Sequence, residues 1–257
     1  MGATLSSAVF QPPAARADIA ALVARHDDAE RLELQTRLGS TIEAFSIDRG
    51  ARLTVLFSHA NAEDVATIYA WLRELGQALD VNVLAYSYTG YARSKGEPSE
   101  QHVYADADAA WAYLTDVRRV PHGRILMYSR SIGSGAAVYL ARRLSDARTP
   151  PAGLVLQSPI LSVFRVAFHF RCTLPGDLFP NVDRMPGVHC PVFVVHGTHD
   201  EVVPFWHGEE LLLALQPQWR HKPFWVRGAG HNNIELLLRD SNLLTIKVRE
   251  FIDHWGL

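Results

Sequence analysis

Cysteine is nearly absent from the sequence, which has only Cys172 and Cys190 among its 257 residues. Two cysteines do not build the disulfide framework of a small secreted domain, and their scarcity fits a reducing compartment. Neither cysteine has a partner at CxxC spacing. A cysteine-based metal site is therefore not expected.

The sequence also lacks an excess of charge and long apolar runs. It has 25 basic and 27 acidic residues, a formal net charge of −2 and no block of like charge, so a nucleic-acid partner is not expected. No apolar run approaches the roughly 18 residues that a membrane-spanning helix needs. Because the N-terminus has no charged region followed by a long apolar one, a secretory signal is not expected either.

The first 30 residues are predicted to form a tail and possible membrane-anchoring segment. Their opening, "MGATLS", fits the Met-Gly-x-x-x-Ser/Thr pattern of N-myristoylation at Gly2. A frayed terminus is the alternative, because so short a pattern often matches by chance. Myristoylation predicts a cytoplasmic protein that is peripheral on the cytosolic face of membranes. The second contact that stable anchoring needs would be a partner protein or the apolar face Ile19, Leu22 and Val23 of a short helix.

Residues 31–257 are predicted to form one α/β domain. The chain is 48% hydrophobic, which suffices for one substantial core. Short apolar runs rich in β-formers alternate with longer segments of helical spacing. The apolar runs are "LTVLF" at 53–57, "VNVLAY" at 81–86, "RILMY" at 124–128, "GLVLQ" at 153–157, "VFVVH" at 192–196 and "FWV" at 224–226, and the helical segments cover about 63–79, 101–118, 132–145, 206–215 and 232–255. This alternation predicts a mostly parallel central sheet with helices on both faces.

Side chains suited to acyl transfer follow three of these runs. Ser131 comes after "RILMY", Asp200 after "VFVVH", and His231 after "FWV". A serine hydroxyl needs a base to take its proton, and the base needs an orienting carboxylate. Such groups lie at the carboxyl ends of parallel strands, and the chain order Ser, Asp, His is that of the α/β-hydrolases. The sequence therefore predicts an α/β-hydrolase fold with a Ser131–His231–Asp200 triad.

Backbone donors for an oxyanion are predicted at two of the strand ends. They are the N–H of Ile132, directly after Ser131, and that of Asn61, in the loop "SHANAED" after "LTVLF". The segment 158–190 has no helical pattern and is expected to be a short lid-like insertion. Within it, Phe164, Phe168 and Phe170 either line an acyl pocket or belong to a helix packed on the core.

Each candidate also has an ordinary structural interpretation. Ser131 would be a turn serine, Asp200 a helix N-cap and His231 a residue near a helix cap. Arg130 is expected to be solvated, and His196 is expected to be a hydrogen-bonded core histidine. Three candidates at three strand ends, in hydrolase order, favour the catalytic interpretation.

Seven segments of the chain resemble one family, in the same order and with similar spacing. They are "LFSHANAEDV", "YSYTGYARSKGEPSEQHVYADADAAW", "MYSRSIGSG", "LQSPILSVFRVAF", "FPNVDR", "VFVVHGTHDEVVPFWHG" and "RGAGHNNIEL". The resemblance, to the alpha/beta hydrolase domain-containing protein 17 family, runs from about residue 52 to 255. That family consists of serine hydrolases that remove palmitate from S-acylated proteins at cytoplasmic membrane surfaces. The resemblance thus implies Ser131 as nucleophile, Asp200 as acid, His231 as base and no cofactor.

Three features depart from the family pattern. Ser129 and Ala60 stand where the family has glycine, in the elbow and in the oxyanion loop, and no cysteine precedes Cys172. Because both replacements are small, we expect the site to work, although more slowly. A lipid esterase or serine peptidase on the same fold is the alternative, and a catalytically impaired binding protein is an alternative of another class.

Overall fold

The structure is a computed structural model that describes residues 9–13, 18–168 and 172–257. The predictions for Gly2 and Phe170 lie outside the described residues. The chain divides into two compact units, Met1–Ile125 and Leu126–Leu257. The assignment of residues 1–30 to a tail and of 31–257 to one domain stays a prediction. Among the described residues, no helix is long and apolar enough to cross a membrane.

The first unit combines an antiparallel hairpin with a parallel strand pair. Its strands are β1 (Ala29–Gln35), β2 (Thr41–Ile47), β3 (Thr54–Ser58) and β4 (Asn82–Tyr86), in the order β1-β2-β4-β3. The β1/β2 and β2/β4 pairs are antiparallel and the β3/β4 pair is parallel. Every residue of β3 is buried, as expected of a short apolar strand in a parallel pair.

Helices of the first unit begin and pack as their sequences dictate. They are α1 (Ile19–Val23), α2 (Val65–Leu79) and α3 (Glu100–Ala112), which continues as a π-helical turn over Tyr113–Val117, and a 3₁₀ turn covers His122–Arg124. Asp64 caps α2 by accepting the N–H groups of Ala66 and Thr67. On α1, Ile19 and Val23 are buried, so this face is not available to a membrane and the prediction of a membrane contact there is wrong.

The second unit has four parallel strands. They are β5 (Ile125–Arg130), β6 (Gly153–Gln157), β7 (Val192–Gly197) and β8 (Phe224–Val226), in the order β5-β6-β7-β8. All three neighbouring pairs are parallel. Because parallel strands end at a common edge, the loops after β5, β7 and β8 meet at the same end of this unit.

Six helices connect or follow these strands within the described part of the second unit. They are α4 (Gly133–Asp146), α5 (Val163–Ala167), α6 (Asn181–Arg184), α7 (Trp206–Ala214), α8 (Ile234–Leu238) and α9 (Leu243–Trp255), with 3₁₀ turns at Met185–Gly187 and Pro217–Trp219. The prediction of one helix over 232–255 is wrong. Asn242 adopts a left-handed conformation, with φ of 51°, and separates α8 from α9.

The insertion 158–190 was expected to have no helix, but it contains the short helices α5 and α6. A buried arginine lies at its centre. Arg165, on α5, donates from Nη1 to the hydroxyls of Ser162 (3.0 Å) and Thr173 (3.1 Å) and lies 3.7 Å from the Asp177 carboxylate. Its carbonyl accepts from Nε2 of His207, whose Nδ1 accepts the N–H of Leu161 at 3.0 Å. Burial lowers the pKa of His207 to about 4, so the ring is neutral at pH 7 and holds α5 against α7.

Candidate active site

Ser131 lies at a sharp turn between β5 and α4. Its φ is 50°, in the left-handed region that costs a residue other than glycine about 1–2 kcal/mol. Two groups hold the turn, since the Ser131 N–H donates to the Gln157 carbonyl at 2.9 Å and the Ser134 hydroxyl donates to the Ser131 carbonyl at 2.7 Å. Strain of this kind persists where the surroundings impose it, as they do at functional sites.

The helix that follows Ser131 starts in close contact with the insertion. A Cβ on Gly135 would lie 2.3 Å from Cδ1 of Phe179, so only glycine fits at that position. Ile132 is the N-cap residue of α4, and its N–H has no acceptor within the helix. An oxyanion hole uses donors of this kind.

Ser131, His231 and Asp200 form one hydrogen-bonded chain. His231 Nε2 lies 3.0 Å from the Ser131 hydroxyl, and His231 Nδ1 lies 2.8 Å from Oδ2 and 3.0 Å from Oδ1 of Asp200. Because the carboxylate can only accept, Nδ1 bears the proton and Nε2 is left to accept the serine proton. The structure thus brings together three residues that are 31 and 100 positions apart in sequence.

Asp200 is surrounded by donors. Its side chain is fully buried and accepts the N–H groups of Val202 and Val203, at 3.0 and 2.8 Å, besides the His231 ring. His196 Nε2 lies 3.2 Å from the same carboxylate and 3.0 Å from the Val203 carbonyl. Burial by itself raises the pKa of Asp200, but the hydrogen bonds from His196 and His231 outweigh it and hold that pKa below its ordinary value.

Of the ordinary interpretations, that of Asp200 as a helix N-cap is wrong, whereas Ser131 does lie in a turn and His231 does lie near a helix cap. The helix after Asp200 begins at Trp206, so Asp200 caps a turn and not a helix. The N-cap of α8 is Asn233, two residues after His231. The loop of His231 is held separately, since the His231 N–H donates to the Glu201 carboxylate at 3.2 Å and the Ala229 carbonyl accepts the His199 N–H at 2.9 Å.

Arg130 is not the solvated side chain that we expected. Its side chain is 14% exposed, and Nη2 lies 2.6 Å from Oε1 of Glu235 on α8. The expectation for His196 is correct, because this residue is a fully buried histidine with a backbone carbonyl as partner. Glu235 and Gln157 were not predicted as site residues, because no local pattern in the sequence distinguishes them from other polar residues near strand or helix ends.

The Asn61 side chain, in the first unit, holds an N-terminal segment. Its Nδ2 donates to the Val9 carbonyl at 2.7 Å, and its Oδ1 accepts the Gln11 N–H at 2.9 Å and the Tyr91 hydroxyl at 2.7 Å. Ala60 is not among the described residues with positive φ, so its Cβ causes no backbone strain there. The place of the Asn61 N–H in an oxyanion hole stays a prediction.

His59 shapes the same loop. Its ring stacks against Tyr88 with centroids 3.9 Å apart, Nδ1 donates to the Ala60 carbonyl at 2.7 Å, and the Tyr88 hydroxyl donates to the His59 carbonyl at 2.7 Å. Burial lowers the pKa of His59, which keeps the ring neutral. A neutral, enclosed ring supports a structural role for His59.

Phe164 and Phe168, two of the predicted pocket residues, are both partly exposed to solvent. Phe164 is half-buried, and Phe168, at 63% exposure, is not part of a core, so the alternative of a core helix is wrong for it. The pocket function of both stays a prediction.

Ser129 is fully buried, and its hydroxyl has no hydrogen-bond partner within the part of the chain that the structure describes. No group of three or more potential metal ligands occurs among those residues either.

Solved structures of similar fold extend over nearly the whole chain. An esterase from Pyrococcus furiosus is 18% identical, with a TM-score of 0.76 over 96% of this chain and 97% of its own. An alpha-beta hydrolase from Vibrio vulnificus is 19% identical, with a TM-score of 0.71 over 93% of this chain and 89% of its own. This likeness confirms the predicted α/β-hydrolase fold, with a mostly parallel sheet surrounded by helices.

Sequence relatives define the family more narrowly, although no model of a known protein family matches the chain. Alpha/beta hydrolase domain-containing protein 17C of Xenopus tropicalis is 38% identical over 233 residues, which are 89% of this chain and 71% of the relative. Protein 17B of Xenopus laevis is 41% identical over 187 residues, which are 72% of this chain and 62% of the relative. The chain belongs to the alpha/beta hydrolase domain-containing protein 17 family.

Proposed function

We propose that the protein is a serine hydrolase that cleaves acyl thioesters, with Ser131 as nucleophile, His231 as base and Asp200 as the orienting acid. The observation behind this proposal is the hydrogen-bonded chain from the Ser131 hydroxyl through both ring nitrogens of His231 to Asp200. The left-handed turn at Ser131 and the depressed pKa of Asp200 support it, because the turn presents the hydroxyl to His231 Nε2 and the low pKa keeps the acid ionised.

The reaction proceeds in two acyl-transfer steps. The Ser131 oxygen attacks the acyl carbon while His231 Nε2 takes the serine proton, and the Ile132 N–H stabilises the resulting oxyanion. His231 then returns the proton to the leaving thiolate as the carbon–sulfur bond breaks. Water, deprotonated by His231, attacks the acyl-enzyme and releases the fatty acid and Ser131. Asp200 stays ionised and stabilises the imidazolium in both steps.

The proposed substrate is a long-chain acyl thioester of an S-acylated protein, with palmitate as the expected acyl group. The sequence resemblance supports this choice, because the family that the segments around the triad resemble is one whose members are expected to remove palmitate from S-acylated proteins. The esterases among the solved structures favour oxygen esters as a second candidate. An impaired binding protein has less support, because the three triad residues have the hydrogen bonds that catalysis needs.

A substrate panel tests the proposal. We expect purified protein to hydrolyse an S-palmitoyl peptide at least about ten-fold faster, in kcat/KM, than the matched O-palmitoyl peptide, a diacylglycerol or an unacylated peptide. The same panel with Ser131→Ala gives the background rate. A preference for the glycerolipid or the unacylated peptide would instead identify the esterase or peptidase alternative.

The proposed partner of the protein is a membrane surface, because S-acylated proteins reside there. A single myristoyl chain binds with an association constant of only about 10⁴ M⁻¹, so a second contact is needed. Because Ile19 and Val23 are buried, the apolar face of α1 cannot provide this second membrane contact. We therefore propose that a partner protein provides it.

We expect Gly2→Ala to move the protein from the membrane to the cytosolic fraction of cells, because alanine at this position prevents N-myristoylation. Hydrolysis of a soluble thioester should not change. Ala3→Ser, which preserves the motif, is the matched control and should remain on membranes. Membrane fractionation that is identical for the Gly2→Ala and wild-type proteins would rule out this anchor.

A further inference from the structure

Glu235 joins three segments of the second unit through one carboxylate oxygen. Its Oε1 accepts a hydrogen bond from Nη2 of Arg130 at 2.6 Å and another from Nε2 of Gln157 at 2.8 Å. The Gln157 side chain is itself fixed, since its Oε1 accepts the Tyr128 hydroxyl at 2.9 Å. Arg130 and Glu235 are 14% and 24% exposed, so this charge-assisted pair is shielded better than an ordinary surface ion pair.

Two of these segments lead to a triad residue, and the third supports the Ser131 turn. Arg130 immediately precedes Ser131, and the Gln157 backbone carbonyl accepts the Ser131 N–H at 2.9 Å. Glu235 lies in the first turn of α8, four residues after His231. The carboxylate therefore ties the loop that presents His231 to both strands that support the Ser131 turn.

The helix that contains Glu235 has few other attachments. α8 has five residues, too few to be stable without tertiary contacts. Leu236 and Leu237 are 73% and 52% exposed, and the buried side chain of this helix is Ile234. Glu235 thus provides a directional contact that fixes α8 against β5 and β6, beside the Glu201 and Ala229 contacts that hold the His231 loop.

We propose that Glu235 is a positioning residue that, through Arg130 and Gln157, holds the His231 ring in register with the Ser131 hydroxyl. This inference rests on the proposed function, because it assigns Glu235 a role in the same reaction. A displacement of about 1 Å between reacting groups can cost about 10²-fold in rate. Loss of the Glu235 link should therefore lower kcat more than it raises KM.

The charge of the pair gives a second, independent readout. Within the part of the chain that the structure describes, the charged or titratable groups near His231 or its partners include Asp200, Glu201, His196, His207, Glu235 and Arg130. Removal of the Glu235 charge takes away a negative charge near His231, which disfavours the imidazolium. Removal of the Arg130 charge takes away a positive charge there, which favours the imidazolium. The acidic limb of the pH profile of kcat/KM should therefore move in opposite directions.

The test uses four variants on the full chain with the S-palmitoyl peptide. Glu235→Gln is expected to lower kcat by about ten- to hundred-fold, to change KM by less than about two-fold and to move the acidic limb to lower pH. Arg130→Met should lower kcat similarly and move the limb to higher pH. In the double variant the limb should return to the wild-type position while kcat stays low. Glu209→Gln, which removes an exposed carboxylate on α7, is the control and should change neither quantity.

Glu235→Asp keeps the charge but shortens the side chain, and it replaces Glu235→Gln if that variant does not fold. It should lower kcat and leave the limb in place. A wild-type kcat and pH profile in Glu235→Gln would overturn the positioning role alone. A lower Tm with a fall in kcat but no movement of the limb would overturn it in favour of a structural role. Wild-type protein that neither reacts with a fluorophosphonate probe nor hydrolyses the panel would overturn the proposed function and this inference with it.

Discussion

Ser131→Ala is expected to lower turnover of the S-palmitoyl peptide by about 10⁶-fold, close to the effect of removing the whole triad, because the three residues act as one unit. The substitution removes only the hydroxyl group from the hydrogen-bonded side chains of Ser131, His231 and Asp200. Alanine at a left-handed position retains the strain that serine has there, so the fold should be preserved. Fluorophosphonate labelling and steady-state kinetics at pH 7 measure the loss, and circular dichroism checks the fold.

The elbow offers a matched control in its other serine. Ser129 is two residues before Ser131, is fully buried and has a hydroxyl with no hydrogen-bond partner among the described residues. We expect Ser129→Gly to retain labelling and turnover, because it only restores the glycine that the family has at this turn. If labelling persists in folded Ser131→Ala but disappears in Ser129→Gly, the nucleophile is Ser129 and the assignment of Ser131 is wrong.

The positions of the triad residues could be predicted because they depend on local sequence. A buried β strand is evident as a short apolar run, and parallel strands end at one edge. Ser131, Asp200 and His231 each follow such a run, so their proximity follows from the sheet topology. The family resemblance was independent of that argument and led to the same three residues.

The contacts around the triad could not be predicted, because they join residues that are distant in sequence and lack a motif. Gln157 and Glu235 are 78 positions apart, and Gln11 and Asn61 are 50 apart. Periodicity also failed at Asn242, where a left-handed residue interrupts a segment with continuous helical spacing. In each case tertiary packing determines which residues are in contact or where the helix ends, and the local helix or strand propensity of the sequence does not report on that packing.

The burial of two arginines also could not be predicted from the sequence. An arginine in a polar segment is usually solvated, yet Arg130 and Arg165 are both largely buried with carboxylates nearby. Their partners lie farther along the chain, Glu235 on α8 and Asp177 in a loop of the insertion 158–190. A buried arginine can be recognised only when the position of its carboxylate is known.

Asp200→Asn is expected to lower kcat by about 10⁴-fold while Ser131 and His231 are both still present. All the groups that face the Asp200 carboxylate are donors, namely the two histidine rings and the N–H groups of Val202 and Val203. An asparagine must turn its own NH₂ group toward one of them. If that group faces His231 Nδ1, the ring adopts the other tautomer, with its proton on Nε2, and it cannot accept the proton of Ser131.

The same substitution should also lower stability at neutral pH. The pKa of Asp200 is held below its ordinary value of 3.8, so the ionised carboxylate stabilises the folded state above that pH, and the stabilisation is lost as the pH falls toward the folded-state pKa. Asp253→Asn, which alters an exposed carboxylate on α9, controls for the loss of one negative charge. We therefore expect the Tm difference between Asp200→Asn and wild type to be large at pH 7 and to shrink as the pH is lowered below 3.8. A folded Asp200→Asn protein with wild-type kcat would remove Asp200 from the mechanism, and a Tm difference that does not vary with pH would contradict its ionisation in the folded state.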